Sequence, residues 1–146
     1  MNANAKSTGI DCPCGAGKYQ QCCGRYIGGG MVAPSAVELM RSRYTAFALR
    51  NEAYLRATWW PDTLPEEAIT AEDDVKWIGL KIVGHGHAGD AVNADNADEA
   101  TVEFIARFKV GGRAHKLHEV SRFARQADAA GTPRWYYVDG TFPGHD

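Results

Sequence analysis

"TVEFIARFKVGGRAHKLHEVSRFAR", residues 101–125, alternates apolar and polar side chains on both sides of a glycine pair. On its first arm Val102, Phe104, Ala106, Phe108 and Val110 point to one side, the pattern of a strand with one buried face. Gly111-Gly112 is the signal of a tight hairpin, and residues 114–125 return as the next strand. On the upstream side "KWIGLKIVG" (76–84) places Ile78, Leu80 and Ile82 on one face. Downstream, a loop through Asp128, Gly131 and Pro133 leads to "RWYYVDG" (134–140). Consecutive strands with short connections predict an antiparallel meander. The Ala/Asp/Asn-rich stretch 87–100 is expected to be a loop between strands.

Before residue 70 the period is helical. Ser35 followed by Glu38 is a capping box, and the helix it opens, to about Arg50, carries Val37, Met40, Tyr44, Phe47 and Ala48 on one stripe. Arg41, Arg43 and Arg50 lie off that stripe. A second helix is predicted from about Glu52 to Trp60, stopped by Pro61, and a third helical turn from Thr63 to Ile69. Helices followed by consecutive strands mean an α+β fold, with the helices packed on one face of a curved sheet. The expected core is Tyr44, Phe47, Ile78, Phe104, Phe108 and Trp135.

The chain has 146 residues, about one domain's worth. Its 45% hydrophobic and 23% charged residues are ordinary for a soluble globular protein. A net charge of -2 argues against a dedicated nucleic-acid binder, and no apolar run is long enough to span a membrane. The first ten residues hold no apolar run, so no signal peptide is expected and the cytoplasm is the predicted compartment.

All four cysteines fall within "CPCGAGKYQQCCG", residues 12–24. A C-x-C-x7-C-C cluster reads as a closed site for one structural zinc held by Cys12, Cys14, Cys22 and Cys23. Gly15 and Gly17 suit the sharp turn, and Lys18 and Arg25 stand near enough in sequence to offset the thiolate charge. The competing readings are weaker on chemistry. A disulfide pair needs oxidising surroundings, a thioredoxin-type site needs C-x-x-C, and four crowded unliganded thiols are an oxidation hazard. With four protein ligands no position stays open for water or substrate. The Gly-rich stretch 26–35 is expected to act as a hinge between this knuckle and the main domain.

The segment resembles the SEC-C motif, the zinc module of the SecA translocation motor and of many bacterial proteins. Ala16 stands at its usual serine, and Tyr19, Gln20 and Gln21 stand where lysines are common. In SecA the module contacts the SecB chaperone and the ribosome, so the resemblance implies a protein-contacting role. "LMRSRYTAF", "YLRATW", "SRF" and "WYYVDGT" resemble the YchJ-like family, whose middle domain is a nuclear-transport-factor-two-like cone. The resemblance implies a zinc knuckle at 11–26 and a cone-fold domain at 35–142, with a pocket between sheet and helices.

Within the main domain Glu119 and Ser121 share a strand face with Leu117 and Phe123. Glu119 is either a pocket acid or, as favoured, the partner of an arginine such as Arg41, Arg43 or Arg122. His85 and His87 lack companion ligands, and a loop role is expected. His115 and His118 lie on opposite faces of one strand and cannot share a metal. The tryptophans 59, 60, 77 and 135, with Tyr136 and Tyr137, are expected in the core, and the basic stretch 107–125 on a solvated outer face. No nucleophile–base motif, phosphate loop or dinucleotide fingerprint is present, so the sequence names no catalytic residue. The expected function is a protein-interaction adapter that docks through the knuckle on a protein partner. Binding or conversion of a small molecule in the cone pocket is the alternative, and RNA binding trails both.

Overall fold

The computed structural model describes residues 10–70, 75–87 and 98–143. One helical turn, α1 (Gly24–Ile27), precedes the main helix α2 (Ala36–Leu49) and a shorter α3 (Glu52–Ala57). Four strands come after them: β1 (Lys76–His87), β2 (Glu99–Val110), β3 (Arg113–Ala127) and β4 (Pro133–Thr141). They pair antiparallel in sequence order, the meander expected from the period-two pattern.

The hairpin forms where the glycines predict it. Val110 pairs with Arg113, and Gly111 and Gly112 take φ of 57° and 82°, the left-handed values such a turn demands. Its register sets the inner face, because residues directly opposite share a side of the sheet. Val102 faces Ser121, Phe104 faces Glu119 and Ala106 faces Leu117, so the buried apolar row of β2 meets a partly polar row on β3.

Ser35 caps α2 by accepting from the Glu38 backbone N–H at 3.2 Å, and its hydroxyl donates to the Glu38 carboxylate at 2.9 Å. The far end closes on Arg50, a non-glycine residue at φ 58°. Helix α2 lays Leu39, Met40 and Tyr44 into the core, with Phe47 half-buried. Arg43, expected off the apolar stripe, is only 3% exposed.

Several expectations need correction. Ile78 is 47% exposed because β1 bulges between Trp77 and Gly79. Trp77 takes the inner face opposite Phe108, and after the extra residue Leu80 and Ile82 return to it. Val110, beside the turn, is also exposed, at 37%. The second helix ends at Ala57 rather than Trp60. Residues 58–60 instead lie alongside β4, bridging at Trp59: Tyr137 N–H donates to Thr58 O at 2.8 Å and Trp60 N–H to Tyr137 O at 2.7 Å. Pro61 favours this, since a residue before proline is pushed out of helical geometry. Beyond it a single 3-10 turn spans Pro61–Thr63, not a helix to Ile69. The Glu52 carboxylate organises the chain past that turn by accepting from the backbone N–H of Ile69 and Thr70 and from the Thr70 hydroxyl.

His85 and His87 belong to β1 rather than to a loop. Of the stretch 87–100, residues 88–97 lie outside the described residues, as does the acidic run at 72–74. Nor does the knuckle swing on a hinge. Cys12, Cys14, Cys23 and Tyr26 belong to the same buried cluster as Leu39, Met40, Tyr44, Phe104 and Trp135. No helix among the described residues is long and apolar enough to cross a membrane.

Candidate functional site

The four cysteines converge from two short turns. The first is closed by Gly15 N–H donating to Cys12 O at 2.9 Å and Cys12 N–H to Gly17 O at 2.8 Å, with Gly15 at φ 84°. The second is a 3-10 turn (Tyr19–Gln21) running into α1, with Cys22 and Cys23 between them. Gly24 is required there: a Cβ would lie 2.7 Å from the Tyr19 carbonyl oxygen and 2.8 Å from its ring. The chain can therefore fold back only where a side chain is missing.

All four sulfurs lie within 4.8 Å of one another. Cys14 Sγ is 3.5 Å from Cys22 Sγ, and Cys22 Sγ is 4.0 Å from Cys23 Sγ. A disulfide would need about 2.05 Å, and the four thiols are unbridged. Tetrahedral thiolate ligation with bonds of about 2.3 Å gives sulfur–sulfur edges of about 3.8 Å. The two observed separations bracket that edge, so the cluster fits a metal ion bound by four thiolates.

Electrostatics points the same way. Hydrogen bonds from Cys14 and Cys23 hold Cys12 well below the usual thiol range. Burial, with the neighbouring Cys14 and Cys12, pushes Cys22 up to about 11. Cys23 is driven up mainly by its hydrogen bond to Cys12. One thiolate suppresses its neighbours, and only a cation at the centre lets all four ionise together. Lys18 and Arg25, expected to offset that charge, are engaged locally. Lys18 pairs with Asp11 at 2.7 Å, and Arg25 donates to the Cys22 carbonyl at 2.9 Å while stacking on Tyr26. On the inner side, Cys12 Sγ lies 3.5 Å from Thr45 Oγ1 of α2.

A second feature was only partly legible. Between α2 and the sheet lies a cavity of about 230 Å³, lined by Arg43, Trp59, Phe104, Glu119, Ser121 and Tyr137 among others. Glu119 is buried, but among the described residues no arginine hydrogen-bonds or ion-pairs with it. Its Oε2 accepts from Ser121 Oγ at 2.8 Å and from Tyr137 Oη at 3.0 Å. Arg122, one of its expected partners, pairs with Asp139 at the surface. Arg43 Nη1 donates to Leu55 O at 2.9 Å and Thr58 Oγ1 at 2.7 Å. Its guanidinium stacks on Trp59 and Tyr137. Burial lowers Arg43 to about 10, with Tyr137, Tyr54 and Glu119 pulling it back up. Sequence reasoning found Glu119 and Ser121 but missed Arg43 as a lining residue. The signal available was its place four residues before Phe47 and three after Met40, on the same side of the helix.

His115 and His118 do not join a site. His118 Nε2 meets Glu103 Oε2 at 2.6 Å, and His115 stacks on Phe108. Among the described residues, only the four cysteines form a group able to hold a metal.

Residues 35–140 match the family described as YchJ, middle NTF2-like domain. A UPF0225 protein from Chromobacterium violaceum is 52% identical over 132 residues, spanning 88% of this chain and 90% of its own. A second, from Ralstonia nicotianae, is 49% identical over 135 residues, spanning 88% and 89%. The crystal structure of a SEC-C motif containing protein from Psychrobacter arcticus superposes with a TM-score of 0.75 at 29% identity, covering 97% of this chain and 87% of that one. The solution structure of a SEC-C motif containing protein from Rhodopseudomonas palustris gives 0.73 at 34% identity, covering 91% and 98%. With its cysteine knuckle set ahead of helices on a curved antiparallel sheet, the chain belongs to the YchJ-like family, combining an N-terminal SEC-C motif with an NTF2-like domain.

Proposed function

We propose that this protein is a cytoplasmic zinc-binding adapter. Cys12, Cys14, Cys22 and Cys23 hold one structural zinc, and the knuckle they fix (residues 11–26) docks on a protein partner beside the cone-fold unit (35–142). The carrying observation is the sulfur geometry, whose separations of 3.5 and 4.0 Å suit a zinc tetrathiolate. Such a site has no open position for substrate, so the metal's role is to hold a surface. That surface has an outward side of exposed Gly15, Lys18, Gln20 and Gln21. Beside Cys22 and Cys23 a concavity of about 340 Å³ is lined by Lys18, Arg25 and Arg41 with Glu38.

Elemental analysis of the purified, reduced chain is expected to give one zinc. A Lys18→Glu, Arg41→Glu double variant is expected to keep the metal and the melting temperature while losing a partner that the wild-type chain captures. Retention of that partner overturns the adapter reading.

A second reading, small-molecule binding in the cone cavity, is favoured by one observation. The buried ionic groups Arg43 and Glu119 line that cavity without forming an ion pair with each other.

A further inference from the structure

The cavity between α2 and the sheet has unspent hydrogen-bonding capacity on opposite charges. Arg43, 3% exposed, uses Nη1 for Leu55 and Thr58, and among the described residues its Nη2 and Nε meet no acceptor. Trp59 lines the same cavity, and its buried indole N–H has no partner either. Glu119 takes both of its bonds on Oε2, and among the described residues Oε1 meets no donor. The Trp59 indole N–H is fully buried without a partner, which is costly, and the remaining Arg43 and Glu119 atoms, whose residues line the same cavity, are open to a guest.

The carboxylate is also held in place. Ser121 and Tyr137 fix one oxygen, and behind it Gly140 has no side chain, where a Cβ would lie 2.0 Å from Glu119 Oε2. Around these polar groups the walls are Tyr44, Phe47, Trp77 and Phe104. An engineered cavity of about 150 Å³ accepts benzene. At about 230 Å³ this one has room for a substituted ring or a small bicycle.

Resting on the small-molecule reading, we propose that the cavity binds a planar, uncharged aromatic or heteroaromatic molecule carrying a carbonyl acceptor beside an N–H donor. The carbonyl meets the free donors of Arg43 and Trp59, and the N–H meets Glu119 Oε1. The ring lies among the aromatic walls. Neutrality follows from charge balance. Arg43 and Glu119 offset one another, and an ionised guest leaves one charge uncompensated in a desolvated site.

The test uses the full zinc-loaded chain and three nearly isosteric probes, benzamide, benzoate and benzamidinium, with toluene as the apolar control. Binding is monitored by backbone amide shifts of Phe104, Glu119 and Tyr137. Benzamide is expected to bind saturably and about tenfold or more tighter than either ion and than toluene. Benzoate, benzamidinium or toluene equalling benzamide overturns the ligand class while the cavity reading stands. Absence of saturable shifts with all four overturns the cavity reading and the class together. Glu119→Gln supplies an internal check. With Arg43 then unbalanced, the ratio of benzoate to benzamide affinity is expected to rise about tenfold, and an unchanged ratio overturns the charge-balance argument. The wild-type comparison decides the question even where that variant does not fold.

Discussion

Gly140 shows how much one missing side chain can fix. It pairs with Ser121 across β3 and β4, and the Glu119 carboxylate occupies the space its Cβ would fill. Gly140→Ala is therefore expected to cost about 1–3 kcal/mol, the range for overpacking a filled site, measured by chemical denaturation. Because the clash falls on Glu119, the same variant should shift the Tyr137 ring resonances, while substitution of an exposed strand glycine should not. Phe104 faces Glu119 across the hairpin from within the buried row, and Phe104→Ala is expected to cost about 3–5 kcal/mol in the same assay. At this scale the sequence was readable wherever chemistry and period agreed: Cys12, Cys14, Cys22 and Cys23 converge as their spacing predicts, and Phe104 is buried as the alternation requires. For Arg43 only its side of the helix was readable, not its burial. An arginine between apolar stripe residues is ordinarily solvated, and its burial depends on acceptors from Leu55 and Thr58 and on two rings that arrive from other elements.

Elements kept to their periods except where one residue or one carboxylate intervened. A strand inverts its faces for every inserted residue, and β1 carries two such insertions, between Trp77 and Gly79 and between Ile82 and Gly84. Gly79 and Gly84 were the available hints, since glycine inside a strand often marks a bulge, but alternation alone put Ile78 with Leu80 and Ile82. The corrected register makes a sharp prediction. Ile78→Thr is expected to change stability by no more than about 0.5 kcal/mol, as at ordinary surface positions. Ile82→Ala, on the inner face opposite Phe104, is expected to cost several times that in the same unfolding titration. The segment after Pro61 is held by chemistry rather than by period, which is why a helical turn was expected there. Backbone N–H groups of Ile69 and Thr70, with the Thr70 hydroxyl and Arg56, hold Glu52 near 2, below the usual 4.5. A depressed carboxylate contributes stability that is complete above its unfolded value and disappears as pH falls through its folded one. The protection factors of the Ile69 and Thr70 amides, measured against intrinsic exchange at each pH, are therefore expected to be full above about pH 5 and to fall as pH drops from 4.5 toward 2. Glu52→Gln should remove most of that pH dependence.

For the molecule as a whole, the question is what the knuckle and the cone owe each other. Taken alone, residues 11–26 hold too little apolar surface to order themselves, and the glycines at 28–30 suggest independence from the helices and sheet. The packing says otherwise. Cys12, Cys14 and Cys23 are 1–3% exposed, Cys12 touches Thr45, and Tyr26 donates to Glu38 in the first turn of α2. That coupling was illegible in the sequence because the knuckle's contribution is mostly sulfur, backbone and one tyrosine rather than an apolar stripe. Loss of a metal held by the four thiolates would therefore reach α2. The sheet has its own reserve in β2–β3 pairing and in the row Val102, Phe104, Phe123 and Trp135, none of which touches a sulfur ligand through a hydrogen bond. Chelation is expected to collapse amide dispersion over residues 11–27 and to shift Leu39, Met40 and Thr45, with a lower melting temperature. Signals from 102–106 and 119–124 should persist. Unperturbed signals across 36–49 would mean that the knuckle is an independent appendage. Loss of the β2–β3 signals as well would mean that the sheet cannot hold its curvature once the helix above it loosens.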